Sequence, residues 1–139
     1  MYYLDANAFV YPALYDGEKA AGATELLRAI VAGDERGATA TLTIDEVVWV
    51  LSRESDRSVA IEQGRRILEM PNLSILDVEA EQALGMLSVL ERHETLAPRD
   101  AIHLAVMDSH GLHGIVSDDR DFEAIPDVER HALETFASD

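Results

Sequence analysis

The chain has no cysteine, so disulfide scaffolds and thiolate metal sites are excluded. It has no apolar run approaching the roughly 20 residues that a membrane helix needs. The opening "MYYLDANAFVY" lacks the basic stretch and small-residue cleavage site of a secretory signal. These absences predict a soluble cytoplasmic protein with no membrane partner. Lysine is nearly missing as well: Lys19 stands alone among 11 basic residues, and the others are arginines. Against 27 acids this leaves a formal net charge of −16, spread along the chain rather than gathered in a tail. Such a surface repels itself at low salt and is screened at high salt. With lysine scarce and alanine abundant, the pattern fits a halophilic, salt-adapted protein; an ordinary acidic protein is the plainer alternative. Because the host solvent can set such a charge, it argues only weakly against nucleic-acid binding.

What is present suffices for a folded core. At 139 residues and 47% hydrophobic content, the chain fits one globular domain, residues 1–139, without covalent staples. Residues 1–4 read as a buried strand and 7–15 as a helix stopped at "YDGE". Residues 18–32 carry apolar side chains at helical spacing and end at Gly33. "GATATLT" reads as a strand. Thr43 then opens a helix, with Glu46 three residues on as in a capping box. Helices over 58–70, 79–92 and 98–110 alternate with strands at "LSILDV" and "HGIVS", and "VERHALE" is a weak last strand. Strands alternating with helices throughout predict an α/β fold, a three-layer α/β/α sandwich with a mostly parallel central sheet.

That topology decides where the acids fall. In βαβ units, strand C-termini and helix N-termini share one sheet edge, where open α/β sheets keep their binding crevice. Asp5 follows the first strand, and Glu46 lies early in the helix after the second. Asp100 lies in the first turn of the helix that leads into "HGIVS", and Asp118, Asp119 and Asp121 follow that strand. Each acid also has a local explanation. Asp5 can cap a helix, Glu46 can complete a capping box, Asp100 can complement a helix N-terminus, and 118–121 can be a solvated turn. Together on one edge they repel, and a hard cation would neutralise them. Asp118 reads as a solvated neighbour of Asp119.

The ordered pieces "YYLDANAF", "TLTIDEVVWVL", "PRDAIHLAVM" and "IVSDDRDFEAIP" resemble the PIN-domain family, most closely its VapC-like toxin ribonucleases. The resemblance runs over nearly the whole chain. It implies that Asp5, Glu46, Asp100 and Asp119 are the catalytic, metal-holding acids, with Asp121 an accessory acid and Asn7 and Ser117 polar supports. It also implies Mg²⁺ or Mn²⁺ as cofactor, RNA phosphodiester hydrolysis as the reaction, an antitoxin as protein partner, and a homodimer. A PIN-type RNA-processing nuclease and a non-catalytic binding module are the alternatives within the fold.

The remaining signals are weaker. His103, one turn past Asp100, reads as a packing or orienting residue; His93, His110, His113 and His131 show no ligand spacing. Arg53, Arg99 and Arg120 are candidate RNA-phosphate contacts or surface ion-pair partners. Trp49 and the apolar run around it read as core, with an antitoxin groove as the alternative. A dehalogenase-like phosphotransferase would need a second aspartate where Asn7 stands. A receiver domain would need a lysine near the end, and the sole lysine is Lys19.

Overall fold

The computed structural model describes residues 1–138. The elements in order are β1 (Tyr2–Leu4), α1 (Asn7–Leu14), α2 (Glu18–Ala32), β2 (Gly37–Ala40), α3 (Thr41–Glu54) and α4 (Arg57–Leu68), then β3 (Leu73–Leu76), α5 (Ala80–Arg92), α6 (Pro98–Ser109), β4 (Gly114–Val116) and β5 (Glu129–His131). Short 3-10 turns occupy Arg120–Ala124 and Leu133–Phe136. The strands form one sheet in the order β3-β2-β1-β4-β5, and every pairing is parallel.

The sheet is covered on both faces, as parallel sheets require. Period-two alternation sends Leu4 to one layer, where it packs with Phe9, Leu26, Ile30, Val47 and Leu51 from α1, α2 and α3. It sends Tyr3 to the other layer, with Val89, Leu104, Met107 and Ile115. The three-layer expectation therefore holds. No described helix is long and apolar enough to cross a membrane.

Local chemistry sets the boundaries. Asp56 caps α4 by accepting from the Ser58 amide at 2.9 Å, and Pro98 occupies the first turn of α6. Gly33 closes α2 with φ 86, a left-handed turn that suits glycine. Gly22 lets α2 approach the C-terminal turn: a Cβ there would lie 1.9 Å from the Leu133 carbonyl oxygen.

One boundary departs from expectation. β2 stops at Ala40 and α3 begins at Thr41, so the "TLT" of "GATATLT" is helical. Thr43 is not the cap. It sits in the first turn, with its hydroxyl 3.4 Å from the Ala40 amide, and Glu46 belongs to no capping box. β-branched threonines read as strand, but Thr43 is buried in the first turn of α3 and bonded at 2.8 Å to Thr39, four residues back at the end of β2.

Candidate functional site

Asp5 leaves the central strand β1 and is almost fully buried, at 6% exposure. One carboxylate oxygen accepts from the Ala6 amide at 2.8 Å. The other accepts from the Ser117 hydroxyl at 2.6 Å and from the Asn7 amide group at 3.4 Å. The Ser117 oxygen in turn accepts from the Asp119 amide at 3.0 Å. Asn7 and Ser117 thus tie the end of β1 to the end of β4, as supports of Asp5. No side chain caps α1, so the N-cap reading of Asp5 fails.

The acids gather in two groups. Asp5, Glu46 and His103 offer ligand atoms within 4.8 Å of one another, and so do Asp100, Asp119 and Asp121. Ser117 links the groups, donating to Asp5 and accepting from the Asp119 amide. Burial, opposed by the nearby His103 and the Ser117 hydrogen bond, raises the Asp5 carboxyl above the usual range. Burial and the charges of Asp119 and Asp5 push Asp100 up to about 7. Asp119 also caps the 3-10 turn after β4 by accepting from the Asp121 amide at 2.9 Å. This edge therefore stores electrostatic repulsion that uptake of protons or of a cation relieves.

Glu46 lies in the second turn of α3, where His103 Nε2 reaches its Oε1 at 2.5 Å. His103 is 1% exposed, in keeping with an orienting role. Burial alone would lower the imidazole pKa. The Glu46 hydrogen bond and the charges of Glu46, Asp5 and Asp100 outweigh burial and raise it.

Other sequence readings need correction. Asp118 is not a free solvated neighbour: Lys19 meets it at 2.9 Å and the Tyr11 hydroxyl donates to it at 2.9 Å. Trp49 is not core. It is 53% exposed, with the Arg53 guanidinium stacked 4.4 Å from its ring centre. Of the three arginines, read as phosphate contacts or surface ion-pair partners, two stand beside surface acids. Arg53 lies 3.8 Å from Glu54, Arg99 lies 3.9 Å from Asp45, and Arg120 sits exposed in the 3-10 turn.

Sequence reasoning missed Tyr3, Lys19 and Arg130. Arg130 donates to the Ser117 carbonyl at 2.8 Å and pairs with Glu123, bracing the loop that carries Asp119. The singularity of Lys19 was the only available signal for any of these.

A family model for the PIN domain matches residues 2–128. The chain belongs to the PIN domain family. PIN-domain relatives include a VapC ribonuclease of Mycobacterium bovis, 29% identical over 116 residues that cover 79% of this chain and 83% of that protein. Ribonuclease VapC13 of Mycobacterium tuberculosis matches with the same identity and coverage. Among solved structures, VapC20 of M. tuberculosis, a sarcin–ricin-loop-cleaving toxin, superposes with a TM-score of 0.75 at 18% identity, covering 89% of this chain and 94% of that one. VapBC2 from Rickettsia felis, bound to a promoter DNA fragment, gives 0.71 at 16% identity, with 94% and 97% covered. The PIN resemblance and the fold expected from it are thereby borne out.

Proposed function

We propose that the chain is a metal-dependent endoribonuclease acting in the cytoplasm, the toxin of a VapBC-type toxin–antitoxin pair. What supports this reading is the pair of acid groups, Asp5 and Glu46 with His103, and Asp100 with Asp119 and Asp121, and the Asp100 carboxyl pushed up to about 7 by burial and its acidic neighbours.

The residues fit a hard cation. Their donors are carboxylate oxygens, which suit Mg²⁺ or Mn²⁺, and their mutual repulsion disappears when positive charge enters. Asp5, Asp100 and Asp119 would hold it, with Glu46 completing the set and Asp121 accessory. When bound, such an ion supplies charge to the phosphoryl oxygens and makes water acidic enough to attack phosphorus.

The chain's own groups do the rest. Ser117 and Asn7 orient Asp5. The Asp119 carboxylate is fixed by the Asp121 amide. Arg53, Arg99 and Arg120 supply exposed guanidinium groups for RNA phosphates. Hydrolysis leaves a 5′-phosphate and a 3′-hydroxyl. Exposed apolar side chains on α3 and α4 (Trp49, Ile61, Leu68) and on α5 (Leu84, Leu87) are surface that an antitoxin and a second copy would cover.

The test is incubation with total RNA in high salt, with and without Mn²⁺. Cleavage that needs the ion, and that Asp5→Asn abolishes, supports the reading. Absence of divalent-dependent cleavage by the wild type refutes it.

A further inference from the structure

Glu46 is tied to the hydrophobic core through one imidazole. His103 Nε2 lies 2.5 Å from Glu46 Oε1, and His103 Nδ1 lies 2.5 Å from the Tyr3 hydroxyl. Tyr3 is fully buried in β1, and its ring meets the imidazole edge-on with centres 5.6 Å apart. The polar chain continues behind it. Thr39 and Thr43 are hydrogen-bonded at 2.8 Å, and Thr39 reaches the Leu4 carbonyl at 2.8 Å. Among the described residues, no buried side-chain nitrogen or oxygen lacks a partner.

This arrangement occupies both ring nitrogens. Nε2 is engaged by the Glu46 carboxylate and Nδ1 by the Tyr3 hydroxyl. An imidazole that ligates a metal needs a free lone pair on one nitrogen. His103 therefore faces the acids without one to offer, although it lies within the 4.8 Å group.

We propose that Tyr3 and His103 form a strut from the core to Glu46, and that they are positioning residues that aim its carboxylate at the cation site rather than ligands themselves. The proposal rests on the metal-dependent nuclease reading. The physical need is plain. Glutamate has three side-chain torsions, Glu46 sits at the open edge, and the neighbouring Asp5 carboxylate repels it. Without a donor behind it, Glu46 would swing toward solvent. With the donor, its orientation is inherited from β1, the most central strand, which leads directly into Asp5.

The experiment measures Mn²⁺ binding by titration calorimetry and metal-free melting for the wild type and four variants. Tyr3→Phe keeps the ring and its packing but removes the hydroxyl. His103→Asn leaves a polar group toward Tyr3 but none that reaches Glu46. His103→Gln restores an N–H near the position of Nε2. Ile30→Val trims the core of the other layer and controls for general loss of stability. Tyr3→Phe and His103→Asn should weaken Mn²⁺ binding on the order of tenfold, as loss of outer-sphere partners does. His103→Gln should recover most of the affinity, and Ile30→Val should lower melting without moving it. Unchanged Mn²⁺ affinity in Tyr3→Phe, which preserves the fold, would overturn the strut while leaving the nuclease reading intact. Equal losses in His103→Gln and His103→Asn would overturn it too. A wild type that neither binds Mn²⁺ nor cleaves RNA would remove the nuclease reading and the strut together.

Discussion

Lys19, the sole lysine, stands 2.9 Å from a carboxylate oxygen of Asp118. Tyr11 donates to the other oxygen at 2.9 Å, and the Asp118 amide donates to Asn7 at 3.1 Å. Burial would raise the Asp118 carboxyl, but the Lys19 and Tyr11 hydrogen bonds prevail and hold it below the usual range. These ties fasten the loop after β4 to α1 and α2, and Asp119 is the next residue on that loop. Lys19→Met should therefore weaken divalent binding more than it weakens the fold, because an ion pair so open to solvent adds little stability. Calorimetric Mn²⁺ titration beside chemical denaturation checks this. A large loss of stability with normal Mn²⁺ binding would contradict it.

Asp5→Asn separates a cation ligand from a purely structural acid. Asparagine keeps the size and removes the charge, so divalent-dependent cleavage should vanish. The metal-free protein should melt higher, because burial and the nearby Glu46 charge disfavour the ionised Asp5. Melting curves with and without Mg²⁺ test it: the wild type should gain stability from the ion and the variant should not.

The pH dependence of the metal-free protein follows from the same edge. Asp100 has a carboxyl raised from 3.8 to about 7, and Asp5 is raised too. Between those values the folded state binds more protons than the unfolded chain, so stability falls as pH rises through this window. His103, raised above 6.5, acts in the same direction, since its stabilisation is lost as pH passes its folded value. Melting temperature without metal should drop from about pH 5 to above 7. Asp100→Asn should flatten the drop, and saturating Mg²⁺ should oppose it. A metal-free melting temperature that rises over this range would contradict the expectation.

Salt should stabilise the fold. With 27 acids against 11 bases spread over the surface, repulsion between exposed charges is screened within about 10 Å at 0.1 M salt and more closely above it. Melting temperature should climb as KCl is raised toward molar concentrations. A flat or falling curve would mean that the acidic surface is not an adaptation to salt.

Gly22→Ala sets two effects against each other. Alanine favours a helix over glycine by about 1 kcal/mol. The added Cβ, however, would sit 1.9 Å from the Leu133 carbonyl oxygen, which is backbone and cannot step aside cheaply. Sterics should win, with a net loss of about 1–3 kcal/mol, typical of overpacking. Urea denaturation measures it, and a stabilised variant would show that the turn over Leu133–Phe136 is free to move.

Much of this molecule was legible in order along the chain. Apolar spacing marks the helices, because a 3.6-residue period buries one face whatever the partner. Alternation of strand and helix specifies a parallel sheet with both faces covered, and that topology alone carries Asp5, Asp100 and Asp119 to one edge. Packing between distant segments was not legible. Trp49 looks like core, but α3 turns it outward under Arg53. Tyr3 and His103 meet across 100 residues of sequence, and only the tertiary structure brings the face of β1 against α6. Periodicity states that a residue is buried; which polar group it meets there depends on how the layers dock, and one turn of helix or one step of strand register changes the answer.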